Sequence, residues 1–342
     1  MHLVLFLFLT VLADPQAPLA QICRLALHKS VGRDIISLID MATEEGIGLK
    51  GNDYLIEARL YELDPQLHKR FSDSVFVLQK LLTDYLVLFP EYTDHTETHS
   101  IAIIDYCNNI MGPEGVARLN ADELYVLLMA SYLHDVGMGV SKKDFWEFLP
   151  LVCPEKYEEL HEEIDRDGMA KGVEIIRAYH NDFSACFIHK YAPLFDFPSE
   201  LHEFAVAQTA RGHRKADLFD ESAYPARLCL DNGNTVSLPY TAALVRLGDE
   251  VNVAKDRNSV LIFDPSNYTT EKQRIENAKH EAIKKMTIYQ DRIELVVETD
   301  DPGVREAVDK LAVKLQKTLD YCVKVVDERT EFEITQKKIL LL

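Results

Sequence analysis

Apolar and polar positions along most of the chain repeat with the 3.6-residue period of amphipathic helices. The pattern predicts helices over residues 20–42, 66–89, 93–111, 121–133, 172–191, 198–210 and 238–253. Local signals support the boundaries: Asn120 followed by Glu123 is typical of a capping box, and Gly112-Pro113 is typical of a helix end. Shorter segments are expected to begin at Ser141 and Pro154. The sequence therefore predicts a mainly α fold up to about residue 257.

The pattern changes after residue 257. Residues 258–263 are apolar and suit an extended segment, and residues 271–285 have helical spacing. Residues 287–299 are rich in β-branched side chains and alternate around Gln290-Asp291, which predicts a strand or hairpin. Asp301-Pro302 opens a long amphipathic helix over 301–326. We predict three parts: an N-terminal helical segment (1–89) packed on the core, a helical domain (90–257) and a small C-terminal α/β region (258–342).

Composition limits the possible partners and the compartment. The net charge is −19 and the pI about 5.0, which disfavours non-specific binding to nucleic acid or to an anionic membrane. The six cysteines are scattered without a CxxC, which favours a reducing, cytoplasmic compartment. Residues 1–13 are apolar but lack a positive flank; the alternative is a secreted protein, if they are a signal peptide. The apolar end, Ile339 to Leu342, suggests a chain cut from something longer or a tail packed on a partner.

His134-Asp135 is the most informative dipeptide. It ends the apolar run 124–133 and precedes Gly137, so it marks the end of a buried helix. Adjacent imidazole and carboxylate groups are costly to bury unless both are satisfied, and a divalent metal would satisfy both.

Five further positions carry metal-ligand chemistry on predicted helices. A lone buried histidine is more often hydrogen-bonded core, and Asp249 alone would suit a salt bridge to Arg246 or a cap. The ordered series on separate helices changes this balance, because a helical bundle can bring such residues together around two metals. The five positions are His95, His99, His180, His213 and Asp249.

The order His99, His134-Asp135, His180, His213, Asp249 resembles that of the HD superfamily of metal-dependent phosphohydrolases. YTDHTETHSIAII is similar to the family's first-histidine helix, LLMASYLHDVGMG to its His-Asp motif, and LVRLGDEVNVAKDR to its last motif. Gly248 stands where the family commonly has alanine, a change we expect to be harmless. The resemblance covers residues 90–257, and the C-terminal region resembles a bacterial subgroup in which the HD domain precedes an Hsp90-like ATPase module.

The resemblance implies an HD-type bundle with two divalent metals, taken from Mn, Fe, Mg, Ni, Co or Zn. His99, His134, Asp135 and Asp249 would hold one metal. Asp135, His180 and His213 would hold the other, with Asp135 as the bridge. His95 could orient a ligand, contact the substrate or face solvent, and we favour a role near the site. Glu250 is a candidate to orient a ligand histidine or accept a proton. The expected catalytic residues are thus Asp135, His95 and Glu250.

The expected substrate is a small phosphorylated molecule, most simply a nucleotide. Because the chain is acidic, such an anion needs local cations, for which the residues beside the ligands are the candidates: Arg177, Arg211, Arg214, Lys215, Lys255 and Arg257. Two alternatives to a phosphohydrolase stay open. One is a di-iron oxygenase of the myo-inositol oxygenase type; the other is a non-catalytic, nucleotide-sensing module that regulates a partner ATPase. A homo-oligomer is equally open.

Overall fold

Helices make up most of the described chain. The structure, a computed structural model, describes residues 55–88, 97–167, 169–253 and 271–342. The predicted helix 20–42, the apolar start 1–13 and the extended segment 258–263 lie outside these residues. The bundle helices are α1 (Leu55–Leu63), α2 (Pro65–Leu88), α3 (Glu97–Arg118), α4 (Ala121–Leu133), α5 (Lys142–Val152), α6 (Tyr157–Asp167), α7 (Met169–Lys190), α8 (Glu200–Arg211) and α9 (Leu238–Val251). The mainly α prediction is confirmed.

Helix α4 is the centre of the bundle. Every residue from Asp122 to Leu133 is buried, because the helix is apolar on all faces and α1, α2, α3, α8 and α9 pack around it. Its start is the predicted capping box: the Asn120 side chain accepts from the backbone N–H of Glu123, whose carboxylate accepts from the Asn120 N–H. Its end delivers His134 and Asp135, followed by a 3₁₀ turn, Val136–Gly139.

A buried polar cluster at the start of α4 binds a small hairpin to the bundle. The hairpin consists of β1 (Leu228–Cys229) and β2 (Thr235–Val236). Asp122 accepts from Asn232 and Asn234 in the hairpin turn and lies 2.7 Å from His202 Nε2 on α8. Burial raises the pKa of Asp122, but the bonds from His202 and the two amides outweigh it and hold the pKa below its usual value. All of these groups are partnered, so the cluster is explained by structure alone.

The C-terminal region is a small α/β layer. It comprises α10 (Glu271–Ala282), β3 (Ile283–Ile288), β4 (Arg292–Val297), α11 (Pro302–Arg329) and β5 (Lys338–Leu341). Strands β3 and β4 form the predicted antiparallel hairpin, and β5 adds parallel to β4. One prediction needed correction: α10 stops at Ala282 because the backbone turns into β3. The apolar residues Ile339 to Leu341 lie in strand β5 of this sheet.

Helix α11 joins this layer to the bundle. Val304, Val308 and Leu315 pack with the sheet, whereas Leu319 and Cys322 belong to the same apolar cluster as α4. The described cysteines are all free thiols. The division of the chain into three parts stays a prediction.

Candidate metal centre

All six predicted ligand side chains converge in one place. They come from the start of α3 (His99), the end of α4 (His134 and Asp135), the middle of α7 (His180), the residue pair after α8 (His213) and the last turn of α9 (Asp249). Five of them are more than nine-tenths buried, and Asp249 is partly exposed. Long-range packing therefore brings together what the sequence separates by as much as 150 residues, from position 99 to position 249.

The carboxylate of Asp135 lies between two pairs of histidines. Its Oδ2 is 3.2 Å from His134 Nε2 and 3.7 Å from His99 Nε2. Its Oδ1 is 3.3 Å from His180 Nε2 and 3.5 Å from His213 Nε2. Each oxygen therefore serves one pair, which is the geometry of a bridging carboxylate.

The ligand atoms form two groups that share Asp135. The first group is His99, His134 and Asp135, and the second group is Asp135, His180 and His213; within each, the ligand atoms lie within 4.8 Å of one another. Asp249 adds to the first group, since its Oδ1 is 3.4 Å from His99 Nε2. Two groups of this composition match the inventory that divalent first-row metals prefer.

Three of the histidines present Nε2 to the centre because of a local backbone bond. Nδ1 of His134, His180 and His213 lies 2.9, 3.0 and 2.7 Å from the carbonyl oxygen three residues earlier in the chain. A carbonyl only accepts, so Nδ1 of each carries a proton, and Nε2 is the nitrogen that faces the centre. Nε2 of His180 and Nε2 of His213 are 3.0 Å apart. Two lone pairs at that distance repel, and a shared cation would relieve the repulsion.

His99 is held differently, by a side chain from another helix. The side-chain nitrogen of Asn252, Nδ2, lies 2.7 Å from His99 Nδ1; Asn252 stands just beyond the end of α9, the helix that carries Asp249. An amide can present its oxygen or its nitrogen. Binding of a metal through His99 Nε2 requires the oxygen to face Nδ1, which fixes the same tautomer as in the other three histidines.

Burial and charge set the protonation of the centre. Burial lowers the pKa of His134, but the charge and hydrogen bond of Asp135 outweigh it and raise the pKa to about 9. Burial lowers the pKa of His213 to about 3, helped by the neighbouring His134 and His180. Burial also lowers the pKa of His180. The two histidines of the second group are therefore neutral near pH 7, the form of imidazole that binds a metal.

The first glycine after Asp135 lets α7 approach the centre. A Cβ at Gly137 would lie 2.2 Å from the His180 carbonyl oxygen and 2.4 Å from the Ser184 backbone nitrogen. Ser184 closes this contact, accepting from the Gly137 N–H at 2.8 Å and donating to the His134 carbonyl at 2.6 Å. Helix α7 and the end of α4 are thus fixed against each other beside both groups.

Gly248 has a similar role between α3 and α9. A Cβ there would lie 3.0 Å from Ile103 Cγ2, 3.2 Å from the Ile103 carbonyl oxygen and 3.3 Å from Cys107 Sγ. Gly248 thus lets α3, which carries His99, pack closely against α9, which carries Asp249. The expectation that this difference from alanine is harmless stays a prediction.

Two of the predicted substrate-binding cations are engaged within the protein, and two others are exposed. Arg211 pairs with Asp182 at 2.7 Å, and Lys215 donates to the Ala178 carbonyl at 2.9 Å. Arg177 and Arg214 are exposed, and the charge of Arg214 acts on His180, whose pKa it lowers.

The remaining predicted residues are engaged elsewhere or fall outside the described ranges. Glu250, the residue after Asp249, forms an ion pair with Lys314 of α11 at 2.8 Å, and its role near the centre stays a prediction. His95, Lys255 and Arg257 fall outside the described residues.

Four residues that shape the centre were not predicted for that role: Asn181, Ser184, Arg246 and Asn252. Arg246 does not pair with Asp249 but donates to the Gly212 and Ala216 carbonyls, next to His213. The only sequence signal is position, because Asn181 follows His180 and Asn252 lies three residues after Asp249. Nothing local distinguishes them from ordinary polar helix residues.

Within the described residues no single helix could cross a membrane, although the bent pair Ala121–Gly139 and Lys142–Val152, meeting at 106°, passes on length and composition together.

Comparison with known proteins gives one match. A family model, HD-CE, matches residues 89–331, about seven-tenths of the chain. Searches of curated proteins and of solved structures found no significant match. HD-type families are generally metal-dependent hydrolases, and the buried His/Asp groups seen here could hold metal ions. The chain belongs to the HD-CE family, with an HD-type domain built around this centre.

Proposed function

We propose that the protein is a metal-dependent phosphohydrolase that cleaves a nucleotide or another small phosphoester. The observation that carries the proposal is the Asp135 carboxylate, which offers one oxygen to each of two buried groups of histidines. A shared carboxylate between two N/O ligand sets suits two metals held close together, the arrangement used to cleave phosphoesters by in-line displacement.

Each ligand set has a defined task in this proposal. When bound, two divalent cations would supply a water nucleophile at neutral pH and neutralise the phosphoryl oxygens. His180 and His213 are neutral and aligned by backbone bonds, so they bind without first losing a proton. Asp135 and Asp249 offset the positive charge that two cations bring into a buried site.

The substrate would enter beside Asp249. The Asp249 side chain is 19% exposed, compared with 7% for Asp135 and 2% for His99, so the centre opens on this side. A net charge of −19 repels an anion at long range, so a local cation has to help bind it. Arg214, exposed and acting on His180, is our candidate to contact a phosphate.

The test is a panel of nucleotides and other phosphoesters, each assayed with Mn, Mg, Fe, Ni, Co and Zn. We expect metal-dependent release of phosphate or diphosphate, and its loss in Asp135→Asn, which keeps the shape but removes the charge that bridges the groups. Glu203→Gln is the matched control: it alters another His–carboxylate pair, His189–Glu203 at 2.8 Å, on α7 and α8 away from the centre. Activity that survives Asp135→Asn contradicts the proposal.

Two outcomes of the same panel would replace the proposal with the alternatives. Product formation that needs oxygen, seen by repeating the assay anaerobically, would indicate a di-iron oxygenase, because hydrolysis consumes no oxygen. Tight nucleotide binding without turnover in any metal would indicate a sensing module.

A further inference from the structure

The arginine of the last motif, Arg246, is buried and lies beside the second group of ligands. It is 7% exposed, and among the described residues no carboxylate pairs with it. A buried guanidinium is costly unless its donors are satisfied. Its position on α9, three residues before Asp249, suggests a salt bridge that the structure does not contain, so its charge must serve another purpose.

Arg246 is hydrogen-bonded to the loop that carries His213. Its Nε donates to the Gly212 carbonyl at 2.8 Å, and its Nη2 donates to the Ala216 carbonyl at 2.6 Å. These two carbonyls lie on either side of His213. The rigid fork of a guanidinium can hold two acceptors in one fixed geometry, which the single nitrogen of lysine cannot do.

Helix α11 supports the arginine from behind. The ring of Tyr321 lies 5.0 Å below the Arg246 guanidinium. The Tyr321 hydroxyl accepts from the Leu218 N–H at 2.7 Å and donates to Asp217 at 3.1 Å, in the same loop. Arg329 of α11 donates to the Leu218 carbonyl at 2.5 Å. The C-terminal helix therefore contacts the loop directly and also through Arg246.

Helix α7 holds the near end of the same loop. The buried amide of Asn181 donates to the carbonyls of Arg211 and Arg214, at 3.2 and 3.0 Å. Asn181 directly follows His180, so its side chain ties the segment that carries His180 to the loop that carries His213. The first group is linked to α11 in another way, through the ion pair between Glu250, the residue after Asp249, and Lys314.

We propose that Arg246 and Tyr321 are positioning residues that hold His213, and that helix α11 thereby sets the affinity of the second group for its metal. The inference rests on the proposed two-metal centre. It assigns the C-terminal region a specific role: α11 completes one half of the centre. Without the hydrogen bonds from Arg246 the loop is less ordered. His213 must then be ordered when the metal binds, so the second group binds its metal more weakly.

The experiment is a calorimetric titration of the full chain with Mn²⁺. His99→Ala and His180→Ala assign the two binding steps to the first and second groups. Arg246→Met removes the donors at similar volume, and Arg246→Lys restores the charge and one donor. Arg118→Met is the matched control. Arg118 also donates to a backbone carbonyl, that of Glu331, and lies 5.3 Å from the centre of an aromatic ring, that of Phe332, but it stands at the end of α3 far from His99.

We expect two Mn²⁺ ions in the wild type and in Arg118→Met. In Arg246→Met the second step should weaken by about ten- to hundredfold while the first is unchanged, as for other groups that orient a ligand, and Arg246→Lys should recover part of the loss. Equal second-step affinity in Arg246→Met and wild type overturns the inference but leaves the two-metal centre intact. A single Mn²⁺ in the wild type overturns both. If Arg246→Met fails to fold, the test is made with Tyr321→Phe. This variant keeps the ring but removes the hydroxyl bonds to Leu218 and Asp217, so it should weaken only the second binding step. An unchanged second step in Tyr321→Phe overturns the inference.

Discussion

The two metals should differ in how their binding depends on pH. In the first group, His134 has a pKa of about 9 because Asp135 favours its charged form. A metal can bind His134 Nε2 only after that proton leaves. In the second group, the pKa of His213 is about 3 and that of His180 is lowered, so neither carries a proton that must be displaced near pH 7.

The size of the effect follows from the pKa of His134. At pH 7 the group lies two units below its pKa of about 9, so removing its proton costs about 3 kcal/mol and weakens the first metal about 100-fold. The affinity of the first group for its metal therefore rises with pH, by about tenfold per pH unit, until the pH passes the pKa of His134. Between pH 6 and 8 the first step should therefore strengthen about 100-fold, while the second step stays nearly flat.

The assay is Mn²⁺ calorimetry at pH 6, 7 and 8, repeated at pH 7 in two buffers with different ionisation enthalpies. The buffer dependence counts the protons released at each step. We expect one proton at the first step and none at the second, with the steps assigned by His99→Ala and His180→Ala. Equal pH slopes at both steps, or no proton released at either, would refute the assignment of a charged His134 facing two neutral histidines.

Two substitutions test the geometry around the ligands. Asn252→Leu should weaken binding of the first metal by about tenfold or more, because His99 loses the group that orients it, while Asn252→Asp should still bind this metal. Titration of both variants with Mn²⁺ checks this. Wild-type affinity in the leucine variant would show that the amide does not orient His99. Gly137→Ala should lower the free energy of unfolding in urea by about 1–3 kcal/mol and reduce the affinity of both groups, since the added Cβ meets the α7 backbone. The control is Gly115→Ala in α3, where the Cβ meets only the Met111 side chain, and an unaltered Gly137→Ala protein would contradict the close approach.

Local sequence signals predicted the elements that carry the ligands. The apolar run of α4, the capping box at Asn120 and the Asp-Pro start of α11 each depend on neighbouring residues, and the structure has all three. The ordered series of histidines and aspartates also predicted which side chains would meet, because a bundle has few ways to bury so many polar groups on separate helices.

What was missed depends on partners far away in the chain. Strand β5 pairs with β4, more than 40 residues earlier, so its short apolar run gave no sign of a sheet. Arg246 was expected near Asp249 by helical spacing, but its partners are the backbone of residues 212 and 216. Glu250 was expected near the centre, yet Lys314 of α11 binds it. Backbone carbonyls as partners leave no trace in a sequence, since every residue has one.

Three helices end at the centre: α4 just before His134, α8 just before His213 and α9 just after Asp249. The carboxyl end of a helix carries a partial negative charge of about half a unit from its aligned peptide dipoles. These ends add to the charges of Asp135 and Asp249, so the protein scaffold alone attracts cations and repels anions at this point. A phosphoester would therefore meet a repulsive surface until cations are in place, which makes ordered binding, metal before substrate, a property of the backbone as much as of the ligands.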